Sequence, residues 1–138
     1  MNRRVAAAAD VVAVVAETLA LRAALPIALH VLPLDACVDR VAPRRRFGRA
    51  DGAVERVGRW TDRLLREVRV TRTPCLIRSL TRYRLLRERG VPVVFKMGLR
   101  PQGDDVVGHA WIELDGAPLL EREDTRYTVT FSHPPAEP

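Results

Sequence analysis

Arg84-Leu85-Leu86-Arg87-Glu88-Arg89-Gly90-Val91-Pro92-Val93-Val94-Phe95-Lys96-Met97-Gly98-Leu99 is the stretch in which the chain changes period. Before Gly90, Leu76, Ile77, Leu80, Tyr83 and Leu86 recur at three- and four-residue steps, the spacing of one helix face. After it, Val93, Phe95, Met97 and Leu99 alternate with Val94, Lys96, Gly98 and Arg100, the spacing of a strand. Gly90 supplies the left-handed residue on which helices end, and Pro92 cannot resume one. Downstream, residues 106–114 and 127–131 also read as strands, with a polar loop from Pro101 to Asp105 and a hairpin turn at Asp115-Gly116. Helices first and an antiparallel sheet second make an α+β layout.

Upstream, residues 5 to about 25 read as a first helix. Pro26, Pro33 and Pro43 divide the next segment into short helical or irregular pieces, and Arg44 to Gly52 reads as an exposed connection. Asp51 is placed to cap a helix in which Val54, Val57, Trp60, Leu64, Leu65 and Val68 form one face, with Arg56, Arg59, Arg63 and Arg66 on another. His133 and the prolines after it read as a tail. The length of 138 residues suits a single domain. It divides into a helical region 1–70, a core 71–131 and a tail 132–138, with no internal repeat and no glycine-rich phosphate loop.

Of the 23 basic side chains, 21 lie in the first 100 residues, and all but Lys96 are arginines. Such a basic chain raises nucleic acid as a partner, yet aromatics are few and no nucleic-acid-binding motif occurs, so nucleic acid is not expected. The arginines read as a solvated face with i,i+4 partners such as Glu55 with Arg59 and Asp62 with Arg66. The alternative is a docking surface for an acidic peptide or partner protein. Asp10, Glu17 and Arg22 interrupt the Ala/Val-rich segment before about 18 clean apolar residues accumulate, so it reads as a buried amphipathic helix and not a membrane span. Cys37 and Cys75 form no CxxC or CxxH pairing. Neither a disulfide framework nor a metal or cofactor site is expected, and a cytoplasmic location fits.

Thr73-Pro74-Cys75-Leu76-Ile77-Arg78-Ser79-Leu80 carries the first sign of chemistry. Thr73 suits an N-cap and Pro74 the first helical position, which puts Cys75 in the first turn. Unpaired amides and the positive end of the helix dipole there favour thiolate over thiol. In Gly108-His109-Ala110-Trp111-Ile112-Glu113, 34 positions on, a strand offers an imidazole. Cys75 as nucleophile with its own amide as oxyanion donor, and His109 as general base and acid, make the core of a cysteine enzyme. The bland counterparts are a small buried thiol and a packed histidine. Trp111 and Trp60 read as core residues, with shielding of the imidazole as the alternative for Trp111. Cys37 and His30 are assigned no chemistry.

The acceptor that orients His109 is expected from the strand after the hairpin, where Glu121, Glu123 and Asp124 cluster. Asp115 is excluded, because six strand residues put it roughly 20 Å away. With an odd loop, such as Asp115-Gly116-Ala117, residues 109, 121 and 123 share one face. Glu123 then sits opposite the histidine and Glu121 diagonally, within about 7 to 8 Å. A strict two-residue turn would send Glu121 to the other face. Geometry leaves Glu121 and Glu123 tied.

Thr-Pro-Cys-Leu-Ile-Arg-Ser-Leu from position 73, Arg-Leu-Leu-Arg-Glu-Arg-Gly-Val-Pro from position 84, and Gly-His-Ala-Trp-Ile-Glu-Leu-Asp-Gly from position 108 together resemble the transglutaminase-like leader peptidases of lasso-peptide biosynthesis. The likeness is to the stand-alone protease half of the B-type protein, and residues 73 to 116 are its specific part. The resemblance implies a transglutaminase-like, papain-like core with the cysteine at a helix N-terminus. It also implies a cysteine protease that cuts a precursor peptide between leader and core. The implied partners are that precursor, a separate leader-recognition protein and an ATP-dependent lasso cyclase. Carried over by residue, the triad falls on Cys75, His109 and Glu121, the last departing from the aspartate usual in the family. The alternatives are an acyl transferase that resolves the thioester with an amine, and a peptide-binding module without chemistry.

Overall fold

The computed structural model describes residues 2–44, 48, 51–66 and 73–135. Four helices, α1 (Arg3–Val31), α2 (Leu34–Val41), α3 (Ala53–Leu65) and α4 (Pro74–Glu88), precede the strands β1 (Val94–Gln102), β2 (Asp105–Leu114), β3 (Ala117–Leu119) and β4 (Thr128–His133). The strands form one antiparallel sheet in the order β3-β2-β1-β4. This is the α+β layout read from the change of period, and Gly90 stands just past α4 with φ 75. Val68, residues 45–47 and 49–50 of the expected connection, and 136–138 of the expected tail lie outside the described residues.

Helix α4 is the centre of the molecule. Leu76, Ile77, Leu80, Tyr83, Leu85 and Leu86 are all buried, packed between α1, α2 and α3 on one side and the sheet on the other. Polar residues on so enclosed a helix need internal partners. Arg87 Nη1 donates to the Val93 carbonyl at 2.8 Å, and Arg89 donates to Asp10 Oδ1 at 2.8 Å and to the Leu85 carbonyl at 2.9 Å.

Helix α1 differs from its sequence reading in two ways. It does not stop near residue 25 but runs through Pro26 to Val31. Proline removes one helical hydrogen bond, whose acceptor would be the Arg22 carbonyl, and Arg22 is exposed to water that can replace it. Nor is α1 a buried helix: Val14, Thr18 and Leu25 are its buried residues, and its length and composition would allow a membrane span. Asp10 fastens it, accepting from Arg56 Nε and Arg89 Nε at 2.8 Å each.

In α3 the cap is Gly52, at φ 68, and not Asp51. The buried face is Ala53, Val57, Gly58, Thr61 and Leu65, while Val54, Trp60 and Leu64 sit half-buried at its border. The i,i+4 pairs Glu55 with Arg59 and Asp62 with Arg66 do not close among the described residues. Asp62 is claimed by Arg82 at 2.6 Å and Arg122 at 3.6 Å. A buried guanidinium such as Arg82 loses more without a carboxylate than an exposed arginine does, so the tertiary pair wins.

The sheet is longer than the sequence pattern suggested. The Pro101 to Asp105 loop contracts to a turn at Gly103-Asp104, because Gln102 pairs with Asp105 and Pro101 with Val106. Pro101 is tolerated because β4 pairs only as far as Leu99, leaving β1 there with one neighbour. His133 belongs to β4 and not to a tail: its Nδ1 lies 2.6 Å from the Tyr83 hydroxyl and its Nε2 3.0 Å from Asp39 Oδ1.

Candidate active site

Pro74 and Cys75 are the first two residues of α4, so the thiol stands on the first turn. Thr73, at φ −134 and ψ 62, forms no side-chain cap, contrary to its sequence reading. Its carbonyl instead receives the N–H groups of Leu76 at 3.2 Å and Ile77 at 3.4 Å.

The strand opposite is open at the right place. β3 pairs with β2 only from Ile112 to Leu114, so the edge of β2 at Ala110 is left to α4. Ser79 Oγ donates to the Ala110 carbonyl at 2.9 Å, and the Ala110 amide donates to the Cys75 sulfur. One residue of β2 thus fixes both the register of α4 and the thiol. Ala110 also fixes the neighbouring His109, which pairs in register with Gly98 of β1 and is 4 % exposed.

Cys75 and His109 are hydrogen-bonded, and His109 Nε2 lies 3.2 Å from Glu121 Oε2. With Nε2 turned to the carboxylate, Nδ1 is the ring nitrogen left for the thiol. Burial pushes the Cys75 thiol up. The bond to His109, the amide of Ala110, the charge of His109 and the amide of Leu76 together outweigh it and hold the thiol below its ordinary value. His109 is pushed up to about 9, first by its hydrogen bond to Cys75, then by that to Glu121. Burial raises the Glu121 carboxyl, and the bond to His109 and the amide of Glu123 more than reverse it. The arrangement favours a thiolate beside an imidazolium, the state a thiol nucleophile needs.

Glu121 reaches His109 by a route that loop parity alone does not contain. The hairpin is the strict two-residue case, with Leu114 paired to Ala117 across Asp115 (φ 52) and Gly116 (φ 80). Continued regularly, it would turn Glu121 to the face opposite His109. The strand instead ends at Leu119, and Leu120 takes φ 55, which rotates the next side chain back. Arg82 holds this kink: buried in α4, it donates from Nη1 to the Leu120 carbonyl at 2.9 Å, from Nε to Thr61 Oγ1 at 2.8 Å and from Nη2 to Asp62 Oδ1 at 2.6 Å. Glu121 Oε1 accepts from the amides of Arg122 and Glu123 at 3.1 Å each, leaving Oε2 for the histidine. Glu123 Oε2 stands 3.7 Å from Nδ1 on a largely exposed side chain. Asp124 pairs with Arg126 at 2.6 Å, and Asp115 stays at the turn.

Aromatic faces enclose the imidazole. Tyr127 stacks at 5.4 Å between centroids, and Trp111, on the same face of β2, lies at 6.1 Å with its Nε1 donating to Glu113 Oε1 at 3.0 Å. Trp111 is buried but flanks the histidine, which was the alternative to its core reading. Trp60 packs half-buried with Arg63 over its ring at 5.7 Å. Gly98 makes room for Tyr127, since a Cβ there would lie 2.7 Å from Tyr127 Cβ and 2.8 Å from the Thr128 carbonyl oxygen.

Sequence reasoning missed Arg82, Gly98, Leu120 and Tyr127. A glycine inside a strand period signals close approach, and an arginine among the apolar positions of α4 signals a buried partner. The conformation of Leu120 left no mark in the sequence. Cys37 is buried, and burial raises its thiol. No cluster of metal-binding side chains occurs among the described residues.

A family model described as the transglutaminase-like superfamily matches residues 11–132. No curated protein and no solved structure matches the chain in the same comparisons.

Proposed function

The chain belongs to the transglutaminase-like superfamily, and from that membership we propose that it is a cysteine peptidase that removes the leader from a ribosomally made lasso-peptide precursor. The observation that carries this reading is the hydrogen-bonded series from Cys75 through His109 to Glu121, on the first turn of a buried helix and an open strand edge. Cys75 attacks the scissile carbonyl as thiolate. The tetrahedral oxyanion lies against the Cys75 amide, which precedes the first intrahelical acceptor. As the amide bond breaks, His109 gives its proton to the departing amine, leaving the leader as a thioester on Cys75. Neutral His109 then takes a proton from water, whose oxygen attacks the thioester, and the carboxylate leaves as the thiolate re-forms. Glu121 keeps the imidazole oriented and stabilises its charged form, the part the family's aspartate takes, with one more methylene of reach.

The leader is presented by a separate recognition protein, and the released core passes to an ATP-dependent cyclase. A reducing cytosol keeps Cys75 free for the reaction. The test is incubation with the precursor and its recognition protein, read by mass spectrometry. Two fragments whose masses sum to precursor plus water, lost in Cys75→Ala and kept in Cys37→Ala, are expected. Incorporation of an added fluorescent primary amine without hydrolysis would replace the peptidase with an acyl transferase. An unchanged precursor in the presence of both partners would refute the reading.

A further inference from the structure

We propose that the arginine-lined groove leading away from Glu121 seats an acidic stretch of the peptide substrate, an inference that rests on the peptidase reading above. Three adjoining cavities make the groove. The first, of about 150 Å³, is bounded by Glu121, Leu120 and Arg78 and opens beside the positioning carboxylate. The second, of about 130 Å³, shares Asp62, Arg78 and Arg122 with it. The third, of about 640 Å³, shares Asp62, Arg66 and Arg122 with the second and ends among Arg22, Arg59 and Arg63.

Among the described residues the charges in the groove are unbalanced. Arg82 and Arg122 both lean on Asp62, whereas Arg22, Arg59, Arg63, Arg66 and Arg78 have no carboxylate at ion-pair distance among the described residues. Guanidinium groups facing a concave site bind carboxylates through paired N–H donors, a geometry that orients as well as attracts. The positive track is also discontinuous: Asp62 lies at its centre and Glu121 and Glu123 at its catalytic end. A phosphate backbone would bring a negative charge against each of these, while a peptide can place neutral residues there. Single-stranded nucleic acid would also want exposed aromatic faces, and the neighbouring Trp60 is covered by Arg63. The groove therefore fits a peptide with spaced aspartates or glutamates, held to one side of the bond presented to Cys75.

The test uses the full chain carrying Cys75→Ala, so that binding is read without turnover. Fluorescence anisotropy compares a labelled peptide containing about six glutamates, its glutamine counterpart, and an oligothymidylate of equal charge. The glutamate peptide is expected to bind about tenfold more tightly than the glutamine one, and to weaken steeply as salt rises from about 50 to about 300 mM. Arg63→Glu with Arg66→Glu should cost about tenfold in that affinity, the sum of two exposed ion pairs. Should the double reversal unfold in a thermal melt, Arg63→Gln alone should cost about threefold. Equal affinity for the two peptides, tighter binding of the oligothymidylate, or folded arginine variants of unchanged affinity would each overturn the proposal. A chain that binds the glutamate peptide but cleaves no precursor keeps the groove and loses the peptidase; cleavage indifferent to acidic residues does the reverse.

Discussion

Glu121→Gln isolates the charge that the kink at Leu120 delivers to His109. The carboxylate oxygen is 3.2 Å from Nε2, and the two side chains are only 8 % and 4 % exposed. Glutamine keeps the length and an acceptor oxygen but removes the negative charge. His109 is lifted from 6.5 to about 9, with Cys75 the larger cause and Glu121 the second. Replacing a charge-assisted hydrogen bond by a neutral one removes about 1 to 1.5 kcal/mol, or about one pKa unit. The alkaline limb of activity, where His109 loses the proton it must give to the leaving group, should therefore move from about 9 to about 8. Turnover at neutral pH, where a limb at about 8 still leaves the ring mostly protonated, should fall about tenfold because the neutral amide orients the imidazole less firmly and stabilises its charge less in the transition state. Esterolysis across pH, with imidazole nitrogen shifts followed by NMR, measures both effects. A variant whose imidazole still titrates at about 9 with unchanged turnover would show that Glu121 does not hold His109, whatever the distance between them. The same substitution at the exposed Glu123 should move the limb far less.

Gly98→Ala should force Tyr127 off the imidazole, because its Cβ would meet backbone at 2.8 Å as well as a side chain. A loss of about 1 to 3 kcal/mol in denaturant unfolding and a changed His109 titration are expected, and a neutral result would deny the close approach its role. Arg82→Met leaves Asp62 and the Leu120 carbonyl without their donor. It should cost about 2 to 3 kcal/mol, moderated by the partial exposure of Asp62, and lower the His109 limb in the direction of Glu121→Gln, with Arg82→Lys partly restoring it. Stability loss with an unmoved limb would confine Arg82 to packing. Glu17 is pushed up to about 7 by burial, then by the hydrogen bond and charge of Glu88. Its folded pKa exceeds the ordinary 4.5, so its contribution is full below about 4.5 and is lost as pH rises through about 7. Glu17→Gln should stabilise by about 1 kcal/mol at pH 8, after allowance for solvent, and hardly at pH 5; equal effects at both would contradict the assignment.

What could be read from the sequence was what local patterns determine. The change of period at Gly90 set the order of helices and strands, and Pro74 next to Cys75 located the thiol on a first turn. What could not be read depends on contacts between distant segments. Pro26 predicted a break because a local rule does not register that Leu25 is already buried against other helices. The arginines of α3 suggested helical ion pairs, yet Asp62 answers to Arg82 on α4. The carboxylate facing His109 is the sharpest case. Alternation along the strand with a two-residue turn argued against Glu121, and a single left-handed residue, held by an arginine 38 positions earlier, reversed it.

The proposed mechanism requires that Cys75, activated by His109, carry acyl groups. Reaction of the purified chain with p-nitrophenyl acetate, quenched in acid during the burst and mapped by peptide mass spectrometry, tests it most directly. A single acetyl group on Cys75 is expected, with a burst lost in Cys75→Ala and slowed at least tenfold in His109→Gln, and no label on the buried Cys37. A burst that survives Cys75→Ala, or acetyl divided equally between the two cysteines, would contradict it.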